Sequence, residues 1–292
     1  GLIGKDKVFD PREYFIICIN MPGSCYGSIS PLDKNPDTDA SYFHQFPFFT
    51  IKDMVKSYQL LRKELGIQKI QIGIGGSMGG QQLLEWAATE PHLFENVIAL
   101  ATNAFHSAWG IAFNASQRLA IENDSTWKQN DSKAGINGMK TARSIALLSY
   151  RTYETYQRSQ TEVLSDKISG FKSETYQQYQ GEKLALRFNA FSYYFLSRSM
   201  DSHHLGRHRN SAEAALNDIQ ANTLILSISS DILFPPEEQL FLSENIPGAV
   251  FQSIHSGYGH DGFLLEYEQI ETAIIQFLNN KPIQINKLQN TI

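Results

Sequence analysis

Cysteine is nearly absent from this chain: 292 residues hold only Cys18 and Cys25. Cys18 sits in the apolar run FIICIN and Cys25 in a glycine-containing loop. Usage this sparse excludes a disulfide framework and fits a reducing, cytoplasmic setting. Cys25 is read as a small packing residue. Excess positive charge is missing as well. A net charge of −5 leaves no basic footprint for nucleic acid or for an anionic membrane surface. No apolar run reaches the length that spans a bilayer, and no signal peptide opens the chain. Repeats are absent, and low complexity is confined to a short polar tail after Asn279. The first residue is Gly1 rather than methionine, so the N-terminus is expected upstream.

What is present, with 42% hydrophobic residues, suits one large domain carrying an insertion. YFIICIN (14–20), KIQIGIG (69–75), NVIALAT (96–102), TLILSIS (223–229) and AVFQSIH (249–255) read as buried strands. Between them lie helical patterns. Ile51, Met54, Val55, Tyr58, Leu61 and Leu65 make one stripe, with Thr50 and Asp53 as a capping box and Gly66 as the stop. QQLLEWAATE (81–90) follows, ended by Pro91. Buried strands alternating with helices predict a mostly parallel sheet covered on both faces. From about residue 104 to 212 the strands vanish. Long helical segments such as GMKTARSIALLSYR and YQGEKLALRFNAFSYYFLSRSM replace them, before a final helix GFLLEYEQIETAIIQFL. The expected organisation is a core of residues 1–103 and 213–282, a helical lid 104–212 over the strand C-termini, and a tail 283–292.

The stretch GIGGSMGGQQLLEWA (73–87) places a serine among glycines between a strand and a helix. A dinucleotide fingerprint fails because Met78 occupies its third glycine position, and a P-loop fails because Gln81 replaces its lysine. The nucleophile elbow GxSxG fits, filled by Gly75, Ser77 and Gly79. Its sharp turn excludes side chains two residues either side of the serine, lifts the hydroxyl clear of the sheet and aims the Met78 N–H at an oxyanion. The partners of such a serine follow in the order acid, then histidine. Asp231 comes straight after TLILSIS, and His260 lies in the loop SGYGHDG after AVFQSIH. Both stand at the strand edge that carries Ser77. His255, on the strand itself, reads as a packing histidine. His203, His204 and His208 sit in a basic, solvated segment without carboxylate or cysteine partners, so no metal site is expected.

At this point the chain resembles the homoserine O-acetyltransferases of the α/β-hydrolase superfamily. GGSMGGQQLLEWA, NMPGSCYGSISP (20–31), FPFFTIKDMV (46–55), FHSAWGIAFNASQRLAI (105–121), TARSIALLSYR (141–151) and GHDGFLLE (259–266) carry the resemblance, which runs to about Leu278. It implies an α/β-hydrolase fold with an inserted all-helical lid and catalytic Ser77, Asp231 and His260. It further implies substrate-binding roles for Arg143, Tyr150 and Asp261. Arg143 and Tyr150, almost two helical turns apart, share one face. Arg143 can grip a carboxylate bidentately, and Asp261 can pair with an ammonium.

The implied reaction moves an acetyl group from acetyl-CoA, a co-substrate rather than a bound cofactor, to the hydroxyl of L-homoserine. The implied setting is methionine biosynthesis, by a ping-pong route, in a homodimer joined through lid helices such as the aromatic-rich 188–196. Succinyl transfer, serine as acceptor, an esterase using water, and a silent binding protein are the alternatives. Two departures stand out. The loop after YGS reads ISP, where the family usually has Thr-Gly-Pro. The chain also starts well inside the family pattern, so the early strands and the loop with the second oxyanion donor are expected before Gly1.

Overall fold

The computed structural model describes residues 1–279; the stretch 280–282 and the tail 283–292 lie outside the described residues. Thr50 opens α1 (Ile51–Glu64) with both halves of the capping box: its Oγ1 accepts the Asp53 N–H, and the Asp53 carboxylate accepts the Thr50 N–H. Gly66, in the left-handed region at φ 66°, follows the last turn. Of the predicted stripe, Ile51, Met54, Val55 and Tyr58 are buried, whereas Leu61 and Leu65 reach solvent. Next come β1 (Ile70–Gly76), α2 (Met78–Thr89) and β2 (Phe94–Leu100). The chain then runs through α3 (Ala108–Glu122), α4 (Ile136–Tyr150), α5 (Tyr153–Gln160), α6 (Lys172–Ala185), α7 (Ala190–Asp201) and α8 (Ala212–Asn217). It returns to the sheet with β3 (Asn222–Ile228), α9 (Pro236–Asn245), β4 (Val250–Ile254), α10 (Gly262–Leu265) and α11 (Tyr267–Leu278).

The four strands are parallel, in the order β1-β2-β3-β4. Alternation along β2 sends Val97 and Ala99 to a layer with α1, α2, α8 and α9. Ile98 and Leu100 meet α11 and Phe9 on the other face. Burial on both faces is why these strands read as continuous apolar runs. The lid has its own core, built from Ile121, Trp127, Met139, Ala142, Leu184 and Phe191. Among the described residues no helix is long and apolar enough to cross a membrane.

Several expectations need correction. YFIICIN is not a strand: its backbone joins no ladder, Phe15 is 85% exposed, and Ile16, Ile17 and Cys18 also face solvent. Apolar, β-branched composition favours a strand only where a neighbour supplies hydrogen bonds, and no described segment runs beside it. The run 179–200 is two helices, because the chain leaves α6 at Leu186 and restarts when the Asn189 side chain accepts the Ser192 N–H. The final helix is likewise broken, at Glu266. Aromatics in 188–196 contribute to the packing of the helical insertion, with Phe191 on Phe43 and Trp127 and Phe195 on Phe46. His255, just beyond β4, is exposed rather than packed.

His203 is buried rather than solvated; its Nε2–H donates to the Asn103 carbonyl. His204 stacks on Phe105, and its Nδ1 accepts the Gly206 N–H. His106 is also buried, with Nε2 accepting from Asn114 near the Arg118–Asp201 pair. Burial pushes His106 down to about 4 and His203 down to about 3. Between those values and the unfolded value near 6.5, the unfolded chain binds protons that the folded chain refuses. Stability therefore falls as pH drops through that window, by of order a few kcal/mol per histidine. Denaturant midpoints should decline steadily from about pH 7 to about pH 5, above most carboxylate titrations. A flat profile there would contradict two buried neutral histidines.

Candidate active site

The turn from β1 into α2 puts Ser77 at φ 52°, ψ −124°, a region L-residues seldom adopt. Several contacts over-determine it. The Ser77 N–H donates to the Leu100 carbonyl, and the Thr102 hydroxyl donates to the Ser77 carbonyl at 2.8 Å. The Gln239 amide in turn donates to the Thr102 carbonyl at 2.7 Å. Gly75 is required by close approach, since a Cβ there would lie 2.4 Å from the Gly79 carbonyl oxygen. Gly79 is not: a Cβ there would meet nothing within 4 Å. The tight glycine on the helix side is Gly80, whose Cβ would strike Thr102 at 2.6 Å. The expected steric exclusion two residues either side of the serine thus holds at Gly75 and fails at Gly79; on the helix side the close approach falls one residue later, at Gly80.

Parallel strands bring their C-terminal ends to one edge, and the three predicted side chains meet there. Asp231 is buried; its Oδ1 accepts the N–H groups of Leu233 and Phe234, and its Oδ2 lies 2.6 Å from His260 Nδ1. A carboxylate only accepts, so Nδ1 carries the proton and Nε2 is left to accept from Ser77 Oγ, 2.9 Å away. The imidazole is held among Phe234 (stacked, 5.0 Å), Phe263 (5.1 Å) and Tyr150 (5.7 Å). Met78, first residue of α2, has an N–H with no acceptor one turn back, beside Ser77 and at the positive end of the helix.

The lid closes over this edge. Arg143 and Tyr150 share a face of α4, with the guanidinium 5.4 Å from the phenol ring centre. Burial pushes the Tyr150 phenol up, while Arg143 opposes that shift and Asp261 adds to it. Among the described residues Arg143 makes no ion pair. Asp261 does make one: its Oδ2 accepts from Arg151 Nε at 3.1 Å. Sequence reading missed Arg151 although it ends the quoted motif TARSIALLSYR, because an arginine at a helix end reads as a solvated cation. It also missed Thr102 and Gln239, for which no sequence signal exists. On the other side of the mouth, half-exposed Trp109 of α3 donates Nε1–H to the Ile232 carbonyl. Cys25 is half-buried near the Arg187 carbonyl, and burial pushes its thiol up, away from reactivity.

A serine on a strained strand–helix turn, joined to histidine and aspartate at the C-terminal edge of a parallel sheet, defines the α/β-hydrolase class, and the alpha/beta hydrolase fold family model matches residues 5–267. Homoserine O-acetyltransferase of Cyclobacterium marinum is 47% identical, over 95% of this chain and 79% of its own length. That of Chlorobaculum parvum is 41% identical, over 95% and 78%. The crystal structure of homoserine O-acetyltransferase from Staphylococcus aureus superposes with a TM-score of 0.73 at 28% identity, covering 92% of this chain and 74% of that one. The chain belongs to the homoserine O-acetyltransferase family.

The glycine geometry separates two otherwise similar substitutions. Gly79→Ala should stabilise the chain by about 0.5–1 kcal/mol, as alanine does inside a helix, and leave Ser77 reactive to a serine-directed fluorophosphonate. Gly75→Ala should abolish labelling of Ser77. Comparable labelling of both variants would show that the elbow tolerates a side chain at Gly75.

Proposed function

We propose that this chain acetylates the hydroxyl of L-homoserine, taking the acetyl group from acetyl-CoA by way of Ser77. The observation that carries the reading is the pairing of the Ser77–His260–Asp231 relay with charges of both signs, Arg143 on lid helix α4 and Asp261 next to His260. Membership of the family supports it. An esterase acting on apolar esters has no use for Arg143 and Asp261, whereas an amino-acid acceptor presents a carboxylate to the one and an ammonium to the other.

In the first half-reaction His260 Nε2 takes the Ser77 proton as Oγ attacks the thioester carbonyl. The Met78 N–H and the α2 dipole stabilise the oxyanion. Collapse breaks the C–S bond, and the imidazolium returns its proton to the departing thiolate. Asp231 holds the histidine tautomer throughout. In the second half-reaction the homoserine hydroxyl gives its proton to His260 and attacks the acetyl-serine, releasing O-acetylhomoserine and regenerating Ser77. The same proposal includes no permanently bound cofactor, a cytoplasmic setting in methionine biosynthesis, and a homodimer joined through lid helices, where Leu119 and Leu148 are exposed.

Intact mass after mixing with acetyl-CoA should show one added acetyl group, removed rapidly by homoserine and slowly by buffer. Ser77→Ala should show none. A stable adduct that homoserine does not discharge, or one formed only with succinyl-CoA, would refute the assignment. Arg143→Ala should raise the homoserine KM about ten- to hundredfold, the worth of a charge-assisted pair, with the acetyl-CoA KM little changed.

A further inference from the structure

The histidine loop does not stand free at the sheet edge; the lid grips it at one place. Helix α4 ends at Tyr150, Arg151 is extended (φ −127°, ψ 159°), and Thr152 caps α5. This corner lies directly on residues 257–261. The Thr152 and Thr155 hydroxyls both donate to the Gly257 carbonyl, at 2.5 and 2.8 Å. Gly259, at φ 65°, packs so closely that a Cβ would sit 3.0 Å from the Tyr150 carbonyl oxygen. The extended corner turns the Arg151 side chain to Asp261 and under Tyr176 of α6, whose ring centre is 5.5 Å from the guanidinium.

Arg151 reaches Asp261 through Nε alone, and to Oδ2 alone. The other carboxylate oxygen, Oδ1, has no protein donor among the described residues, and Asp261 retains 20% side-chain exposure. A carboxylate held by one oxygen leaves the other to accept, here on the residue that follows His260 in the loop packed against the Tyr150 carbonyl. We propose that Arg151 is a positioning residue for acceptor recognition: it fixes the Asp261 carboxylate so that Oδ1 receives the ammonium of the amino-acid acceptor. The inference rests on the proposed role of Asp261. Arg151 does not touch the acceptor and takes no part in the chemistry at Ser77. The opposite expectation is equally definite, because a cation beside Asp261 can instead neutralise it and weaken its hold on a second cation.

The test separates the half-reactions. Ser77 acetylation by acetyl-CoA, measured by rapid quench without acceptor, should stay within about twofold in Arg151→Met, a change too small to be a lost hydrogen bond in the relay. The homoserine KM should rise about tenfold, the scale of one misdirected charge-assisted contact. Arg151→Lys, which keeps the charge and is the variant to use if the methionine form melts early, should give an intermediate KM. With 4-hydroxybutyrate, which has no ammonium, wild type and both variants should have the same KM. A homoserine KM that is unchanged or lower in Arg151→Met would overturn the inference, as would an equal loss in Ser77 acetylation. Asp261→Asn run alongside distinguishes the two levels: if it leaves the homoserine KM unchanged, the ammonium role of Asp261 itself fails.

Discussion

The site depends on a single peptide geometry, the left-handed backbone at Ser77. Such a residue costs of order 1–3 kcal/mol and persists only where its surroundings leave no alternative. Here the surroundings are specific. Gly75 and Gly80 allow β1, α2 and the end of β2 to approach within backbone contact, and Thr102 then ties off the Ser77 carbonyl. Gly76 pairs with Leu100 and Leu100 with Leu226, and β3 and β4 run on to the paired Ile228 and Ile254, so the four strands end within two residues of one level. Ser77, Asp231 and His260 meet because each lies just past that level. Sheet register thus sets the hydrogen-bond distances of the relay.

Those three residues were legible from sequence because their signal is local and ordered. A glycine-bracketed serine after one strand, an aspartate after another and a histidine after a third need no tertiary knowledge beyond parallel pairing. The proposed substrate contacts, Arg143, Tyr150 and Asp261, come from the resemblance, since Arg143 alone reads as an exposed helix cation. What escaped was contact between segments far apart in the chain. Thr102 supports Ser77 across 25 residues, Gln239 supports Thr102 across 137, and Arg151 reaches Asp261 across 110. Residues 14–20 failed in the opposite sense. Their composition is that of a strand, but a strand is a relation between segments, and composition cannot supply the neighbour.

The polar interior follows the same logic of support at a distance. Gln81 donates to Asn103, Asn103 donates to Glu238, and burial pushes the Glu238 carboxyl up. Arg209 spans Glu85 and Thr89 of α2. These groups lie behind the elbow rather than in front of it. They fasten α2 to α9, to the segment that follows β2 and to the segment before α8, so the helix that begins at Met78 is anchored by polar contacts as well as by its apolar face.

The grip of the lid on the histidine loop has a consequence for traffic. Thr152 and Thr155 hold the loop that carries His260, and Trp109 holds the loop that carries Asp231. A lid that swung away as a rigid flap would pull on both segments, and the relay would come apart each time the mouth opened. Large opening and an intact relay are therefore mutually exclusive in this architecture. The contacts that close the mouth are thus the same ones that hold His260 and Asp231 in line with Ser77.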